Sequence, residues 1–240
     1  MQFANIEWRQ HKNGTNQPYS LDFNDVYFNS ENGLQETEYV FIDHNQLKQR
    51  FAAPDNAHFT IIETGFGTGL NFLAVAAHWQ ALTPLNAKLH YISIEKHPLH
   101  PADFFYAVHV WPHVWPEVPT ISKELTAQYE NLKAGLNTFN LADGRIQLDL
   151  QVGDVLKQLP SIKQCADAWL LDGFTPAKNA DMWSSEVFTQ IARLSKTGTT
   201  FSTFTSAGGV RRGLQAVGFK VNKHAGFGKK REMLSGIFTA

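Results

Sequence analysis

The sequence has few of the features that mark secreted and membrane proteins. Its 240 residues include one cysteine, Cys165, so no intrachain disulfide can form, and we expect this thiol to fill space in the core. No apolar run approaches the roughly 18 residues that span a bilayer. Residues 1–5 also lack the basic and then apolar pattern of a signal peptide. We therefore predict a cytoplasmic protein.

Charge of one sign is missing from two parts of the chain. Residues 13–47 contain no Lys or Arg, and residues 205–231 contain no Asp or Glu. This distribution predicts a polarised surface that can guide a polyanion to one side, although the net charge is only −1. The alternative is a pair of solvated faces that never meet phosphate. The basic residues of the second stretch are Arg211, Arg212, Lys220, Lys223, Lys229, Lys230 and Arg231.

A glycine-rich turn joins an apolar strand pattern to an apolar helix pattern within residues 61–72, IIETGFGTGLNF. Its glycines are Gly65, Gly67 and Gly69. Such a turn lets a ligand approach the backbone and the free amides of the following helix. Leu70 stands where a dinucleotide fingerprint needs glycine, and no Lys-Ser/Thr pair follows as in a P-loop. An acidic residue before G-x-G-x-G, here Glu63, resembles S-adenosylmethionine-dependent methyltransferases of the Rossmann-like class. The alternative is a strand-to-helix turn that binds nothing.

Strand and helix patterns alternate after about residue 57. Seven strands are predicted, at 58–64, 88–95, 145–152, 166–172, 199–205, 219–224 and 232–239. Helices are predicted at about 70–80, 101–110, 119–134, 184–194 and 208–217. This alternation indicates an α/β fold with a mostly parallel seven-stranded sheet, covered by helices on both faces.

The residues before this alternation predict a separate N-terminal part. Residues 25–28 and 38–42 have the composition of short strands, and Asn32-Gly33 between them is typical of a turn. We therefore predict an N-terminal β extension over residues 1–56 and a Rossmann-like domain over residues 57–240.

Four carboxylates lie at the ends of predicted parallel strands, where open α/β sheets bind their ligands. They are Glu63, Glu95, Asp154 and Asp172. Glu63 is predicted to face the cationic methionine end of the cofactor. Glu95 is placed to accept hydrogen bonds from ribose hydroxyls, and Asp154 to accept one from an adenine amino group. Asp154 could instead cap the following helix.

Asp172 is the best candidate for a reaction centre. The segment 169–179, WLLDGFTPAKN, places this carboxylate and the ring of Phe174 on a loop directly after a buried strand. Methyl transfer from a sulfonium to an amine needs a neutral nitrogen aimed at the methyl group. A carboxylate can orient the amine and accept its proton, and an aromatic ring can stack on a flat substrate. The alternative is a loop carboxylate that caps the next helix.

Metal and nucleophile sites are poorly supported. The pairs His97 with His100 and His109 with His113 are interrupted by prolines, so neither is set on a regular helix face. No G-x-S-x-G elbow is present, and Cys165 falls within a predicted strand rather than at its end. We predict no metal.

Five segments resemble the methyltransferase domain of the bacterial MnmC family, the enzymes of tRNA 5-methylaminomethyl-2-thiouridine biosynthesis. They are residues 25–28, 63–72, 171–183, 203–214 and 226–234. The resemblance covers essentially the whole chain. It implies S-adenosylmethionine-dependent methylation of the aminomethyl group of 5-aminomethyl-2-thiouridine at the tRNA wobble position.

The resemblance also implies roles for individual residues. Asp172 and Phe174 match the family's active-site pair. The residues where the family holds its cofactor are Glu63, Gly65, Phe66, Gly67, Thr68, Gly69, Asn71, Glu95, Lys96 and Asp154. The residues expected to meet the anticodon loop of tRNA are Lys178, Arg211, Arg212, Lys229, Lys230 and Arg231.

One departure from the family pattern concerns a second activity. In bifunctional members an FAD-dependent oxidase domain follows, whereas this chain stops at Ala240, so we predict no FAD here. A free-standing methyltransferase and a domain of a longer parent are both open. A methyltransferase for a small-molecule amine and a non-catalytic tRNA- or nucleotide-binding module also stay open as functions.

Overall fold

The computed structural model describes residues 1–10, 12, 14, 16–28, 32–53, 57–109 and 118–240. The N-terminal part contains short elements. They are β1 (Ile6–Gln10), β2 (Asn16–Ser20), β3 (Asp25–Val26), α1 (Gly33–Thr37), a π-helical segment (Glu38–Asp43) and α2 (Leu47–Phe51). The three strands form an antiparallel sheet in the order β1-β2-β3.

A larger sheet and its helices follow. The strands are β4 (His58–Thr64), β5 (Lys88–Glu95), β6 (Gly135–Leu141), β7 (Ile146–Val152), β8 (Ala166–Leu171), β9 (Ser195–Thr203), β10 (Phe219–Ala225) and β11 (Glu232–Phe238). The helices are α3 (Leu70–Leu82), α4 (Pro101–Val108), α5 (Val118–Tyr129), α6 (Val155–Gln158), α7 (Ser185–Arg193) and α8 (Gly208–Ala216), with 3-10 turns at Leu159–Ser161 and Ala180–Trp183.

The order of the larger sheet is β10-β11-β9-β8-β4-β5-β7-β6. Its five central strands, β9 to β7, run parallel, while β10, β11 and β6 pair antiparallel at the two edges. Thr64 lies beside Ile94 of β5 and Leu171 of β8, so these three strands end together. The carboxyl ends of the central strands therefore meet at one edge of the sheet, as predicted.

Helices cover both faces of the sheet because successive strand residues point to opposite sides. Ile61 packs with Phe72 and Trp79 of α3 in one buried cluster. Its neighbour Ile62 packs with Val187 of α7 in a second buried cluster on the other face. The predicted α/β class and the helices on both faces are thus present.

The predicted second N-terminal strand at residues 38–42 is wrong. This stretch is the π-helical segment, and Asn32 accepts a hydrogen bond from Gln35 as the N-cap of α1 rather than forming a hairpin turn. Local composition favoured a strand, but Val40 and its two successors are all buried, which a half-exposed strand would not allow. The Asp25–Val26 part of the first predicted strand is β3.

Two further differences concern an edge strand and the cysteine. The larger sheet has eight strands rather than seven, because β6 forms an antiparallel edge next to β7. Its alternation of apolar and polar residues is broken, because Leu136 is exposed and Asn137 is buried. Cys165 is exposed just before β8 instead of filling the core.

The boundary at residue 56 stays a prediction, since residues 54–56 lie outside the described part. Within that part, no helix is long and apolar enough to cross a membrane.

Candidate active site

A cavity of about 450 Å³ opens at the carboxyl ends of the central strands. This volume lies within the range of roughly 300–1,000 Å³ that is usual for small-molecule sites. Its walls come from the glycine turn after β4, the ends of β5, β7 and β8, and the N-terminal part around β3 and α1. Most predicted site residues thereby meet at one place.

The glycine turn adopts backbone conformations that other residues rarely take. Gly65, Gly67 and Gly69 have φ angles of 82°, 52° and 75°. A Cβ atom built on Gly65 would lie 2.9 Å from Cα of Gly173. The turn and the loop that carries Asp172 are therefore packed backbone against backbone, which requires glycine at position 65.

Glu95 lies at the end of β5 with its carboxylate fixed by backbone amides. Oε2 accepts a hydrogen bond from Gly67 N at 2.9 Å, and Oε1 accepts one from His97 N at 2.9 Å. Burial raises the pKa of Glu95. The group lines the cavity and retains lone pairs for further donors, so its position fits the predicted contact with ribose hydroxyls.

Asp154 takes the capping role that its sequence position left open, and its contact with an adenine amino group stays a prediction. Oδ1 accepts from Leu156 N at 3.1 Å as the N-cap of α6, and Oδ2 pairs with Lys96 Nζ at 2.9 Å. The Lys96 ammonium lowers the pKa of Asp154. Both side chains also line the cavity, together with Phe66 and Thr68.

Glu63 lies behind the cavity wall rather than in it, which differs from its predicted position. The residue is only 1% exposed. Its Oε1 accepts from Asn71 Nδ2 at 3.0 Å and its Oε2 accepts from Ser93 Oγ at 2.7 Å. Burial raises the pKa of Glu63 to about 8. Asn71, not Glu63, reaches the cavity.

Asp172 lies at the cavity edge with both carboxylate oxygens held. Asn71 Nδ2 donates to Oδ2 at 2.7 Å, and Gly173 N donates to Oδ1 at 2.8 Å. Burial raises the pKa of Asp172 to about 6, against the opposing effect of these hydrogen bonds. A carboxyl with this pKa is mostly ionised at neutral pH and still accepts a proton readily.

Phe174 stands in an aromatic cluster that the N-terminal part completes. Its ring stacks on Phe23 with centroids 4.4 Å apart, and Tyr27 meets it edge-on at 5.3 Å. Trp183 Nε1 donates to its carbonyl oxygen at 3.1 Å. The N-terminal part therefore forms a wall of the cavity, a role that composition could not reveal.

The predicted tRNA-contacting residues lie in three kinds of position. Lys229 and Lys230 line the cavity. Lys178 instead pairs with Asp25 at 3.3 Å and donates to the Asn24 carbonyl, which ties its loop to β3. The remaining three, Arg211, Arg212 and Arg231, are not among the lining residues; the first two lie on α8 and the third just before β11.

Three other lining residues were not predicted as site residues. Glu36, Thr37 and Phe204 belong to α1 and to the loop after β9. Thr37 Oγ1 donates to Asn71 Oδ1 at 2.9 Å, so the N-terminal part also orients the amide that holds Asp172. No local pattern pairs these distant segments.

The metal alternative finds no site in the described part of the chain. There, no group of three or more His, Cys, Asp or Glu side chains is arranged to hold an ion. His113, one of the histidines weighed as a ligand, lies outside the described residues.

The chain is similar in sequence and in fold to known proteins. A family described as S-adenosyl-L-methionine-dependent methyltransferase matches residues 116–239. The chain is 49% identical over 236 residues to the tRNA 5-methylaminomethyl-2-thiouridine biosynthesis bifunctional protein MnmC of Methylobacillus flagellatus, covering 98% of this chain and 35% of that protein. It is 51% identical over 221 residues to the protein of the same name in Chromobacterium violaceum, covering 92% and 33%. The chain thus spans about a third of these relatives' length.

A solved structure confirms the fold class. The crystal structure of MNMC2 from Aquifex aeolicus superposes with a TM-score of 0.76 at 20% identity, over 97% of this chain and 70% of that chain.

Proposed function

This chain belongs to the S-adenosyl-L-methionine-dependent methyltransferase family, and we propose that it methylates the aminomethyl nitrogen of 5-aminomethyl-2-thiouridine at the tRNA wobble position. The product would be 5-methylaminomethyl-2-thiouridine. The printed name of the relatives, tRNA 5-methylaminomethyl-2-thiouridine biosynthesis protein, supports this acceptor, as does the resemblance of the five sequence segments.

The observation that carries the proposal is the Asp172 carboxylate, which Asn71 and Gly173 hold on a loop whose backbone packs against the glycine turn. An alkylamine in water is mostly protonated, and a protonated nitrogen has no lone pair for attack. Asp172 would orient the ammonium group and accept one proton from it. The neutral nitrogen would then direct its lone pair at the donor's methyl group, in line with the methyl–sulfur bond that breaks.

The donor side of the cavity fits S-adenosylmethionine. Glu95 and Asp154 present carboxylate oxygens suited to hydroxyl and amino donors, and Gly65 and Gly67 of the turn line the cavity beside them. Phe66, Thr68, Asn71 and Lys96 complete this wall. When bound, the cofactor supplies an electrophilic methyl group on a sulfonium. Glu63 would support this wall from behind through its hydrogen bond with Asn71.

Most of the catalytic effect would come from positioning. Holding two reactants in line contributes about 7 kcal/mol or more toward lowering the barrier. The backbone contact between Gly65 and Gly173 fixes the distance between the donor turn and the acceptor carboxylate. The aromatic cluster around Phe174 would stack on the uracil ring, an effect worth about 1–3 kcal/mol per base.

The basic residues would contact the tRNA backbone. Lys229 and Lys230 are placed for this at the cavity, and Arg211, Arg212 and Arg231 would act farther from it. Lys178 would act through its loop, which it holds against Asp25. Because the proposed substrate is tRNA, we infer a cytoplasmic location. We also infer that an FAD-dependent oxidase part of a longer parent supplies the amine; no step of that reaction is assigned to these residues.

The test is methyl transfer from labelled S-adenosylmethionine to tRNA that carries 5-aminomethyl-2-thiouridine, followed by digestion to nucleosides. We expect label in the wobble nucleoside with the wild-type protein and at least a hundredfold less with Asp172→Asn, in line with the roughly 10²–10⁴-fold effect of general bases. Asp143→Asn is the matched control, since Asp143 is exposed in the turn before β7, at the opposite end of the sheet. Absence of label in the wobble nucleoside with wild-type protein would refute the proposal.

A further inference from the structure

The ammonium group of Lys230 lies in a small site within the cavity. Its Nζ is 2.7 Å from Glu36 Oε1 and 4.3 Å from the centroid of the Phe204 ring. Lys230 comes from the connection between β10 and β11, Glu36 from α1, and Phe204 from the loop after β9. A carboxylate and an aromatic face are the two groups that recognise an alkylammonium.

This site adjoins the reaction centre. Glu36, Phe204 and Lys230 all line the cavity that contains Asp172. The Lys230 ammonium lowers the pKa of Asp172 and the Glu36 carboxylate raises it, so both charges act on that carboxyl. A cation held by Glu36 is therefore close enough for Asp172 to sense its charge.

The two partners of the ion pair differ in their freedom. The Lys230 side chain is 44% exposed, whereas that of Glu36 is 13% exposed. The lysine can swing into solvent on its four-carbon stem, while Glu36 keeps its place. The hairpin does not need this pair for attachment, because Tyr39 Oη donates to the Ala225 carbonyl at 2.9 Å.

We propose that Glu36 and Phe204 form a subsite for a primary alkylammonium, which Lys230 fills when no substrate amine is bound and from which the substrate's aminomethyl group displaces it. The inference rests on the proposed function and deepens it by naming the residues that select the amine. The displaced lysine becomes available to a phosphate, and the captured ammonium shares the cavity with Asp172, which accepts its proton. Glu36 is thus a specificity residue, distinct from the proton acceptor.

The test compares the binding of two tRNAs that differ in one amine. One carries 5-aminomethyl-2-thiouridine at the wobble position and the other carries 2-thiouridine there. Dissociation constants are measured in the presence of S-adenosylhomocysteine, which prevents turnover. We expect wild-type protein to prefer the amine-bearing tRNA and Glu36→Gln to lower that preference about tenfold, the scale of a hydrogen bond to a charged group. Glu232→Gln is the matched control, because it breaks an exposed pair with Lys223 in the same hairpin.

A second variant tests the displacement itself. Lys230→Met removes the occupant and leaves Glu36 available, so the preference for the amine-bearing tRNA should rise above the wild-type ratio. The ratio is compared at high salt, where the phosphate contact that the displaced lysine makes only with the amine-bearing tRNA contributes little, while the Glu36 carboxylate, only 13% exposed, is screened much less. An unchanged preference in Glu36→Gln, or a lower preference in Lys230→Met, would overturn the inference. Failure of the proposed function is distinguishable, because wild-type protein would then leave the wobble nucleoside unmethylated.

Discussion

Replacement of Asn71 by alanine should shift the pH dependence of methyl transfer. Asn71 Nδ2 donates to Asp172 Oδ2 at 2.7 Å and to Glu63 Oε1 at 3.0 Å. The first of these hydrogen bonds stabilises the ionised form of Asp172 and so lowers its pKa. Loss of the donor in Asn71→Ala therefore raises that pKa above its wild-type value of about 6.

The size of the shift follows from the strength of the lost bond. A hydrogen bond to a charged group is worth about 1.5–3 kcal/mol, and one pKa unit corresponds to about 1.4 kcal/mol. The pKa of Asp172 should therefore rise by about one to two pH units. The proton acceptor must be ionised to act, so the rate falls as pH drops through this pKa. At neutral pH the variant loses a large part of its activity, and it regains some as the pH is raised.

The assay is kcat/KM for methyl transfer to amine-bearing tRNA, measured from about pH 5 to about pH 9 so as to cover the pKa of Asp172 in wild type and in the variant. We expect the acid limb of Asn71→Ala to lie about one to two pH units above that of wild type. Thr37→Val is the control, since the Thr37 hydroxyl donates to Asn71 Oδ1 at 2.9 Å rather than to either carboxylate. Its shift should be smaller. Coincident acid limbs for Asn71→Ala and wild type would refute the reasoning.

Three further predictions concern stability and substrate binding. Gly65→Ala should lower the free energy of unfolding by about 1–3 kcal/mol and abolish methyl transfer, because the new Cβ adds a clash with Gly173 to the strain of a positive φ. Gly198→Ala is the control: its φ is also positive, at 93°, but its Cβ would meet no atom within 4 Å, so urea unfolding should show the smaller cost of strain alone. Glu63→Gln should gain stability relative to wild type between about pH 4.5 and about pH 8. The raised pKa of Glu63 stabilises the folded wild-type protein fully below about pH 4.5, the pKa in the unfolded chain, and this stabilisation is lost as pH rises through about 8. Parallel pH profiles of the free energy of unfolding for the two proteins would contradict this. Phe174→Leu should raise KM for tRNA by about tenfold through lost stacking, with unchanged affinity for S-adenosylhomocysteine as the control.

The parts of the fold that the sequence predicted correctly depend on local patterns. The strand before the glycine turn, the helix after it and the terminal hairpin all lie where composition and spacing placed them. The antiparallel edge strand β6 was missed because its sequence shows no regular alternation of apolar and polar residues. Residues 38–42 form a helical segment because burial of successive side chains outweighs their local preference for a strand.

The candidate site shows the same division at the level of single residues. Sequence alone indicated Glu95, Asp154 and Asp172, because the carboxyl ends of parallel strands meet at one edge. It could not distinguish Glu63 from these three carboxylates. Glu63 lies one residue before the end of β4, and its side chain is buried behind the cavity wall. Nor could it place Lys178, whose charge is taken up by Asp25 of β3.

By itself the sequence determined the glycine turn, the five central parallel strands, and the carboxylates at the strand ends. These depend on neighbours in the chain and on the period of the backbone. Only the tertiary structure decided that Thr37 orients Asn71, that Glu36 holds Lys230, and that an N-terminal wall encloses the acceptor loop. Such contacts join segments far apart in the chain, so they follow from how the whole core packs and leave no trace in any local pattern.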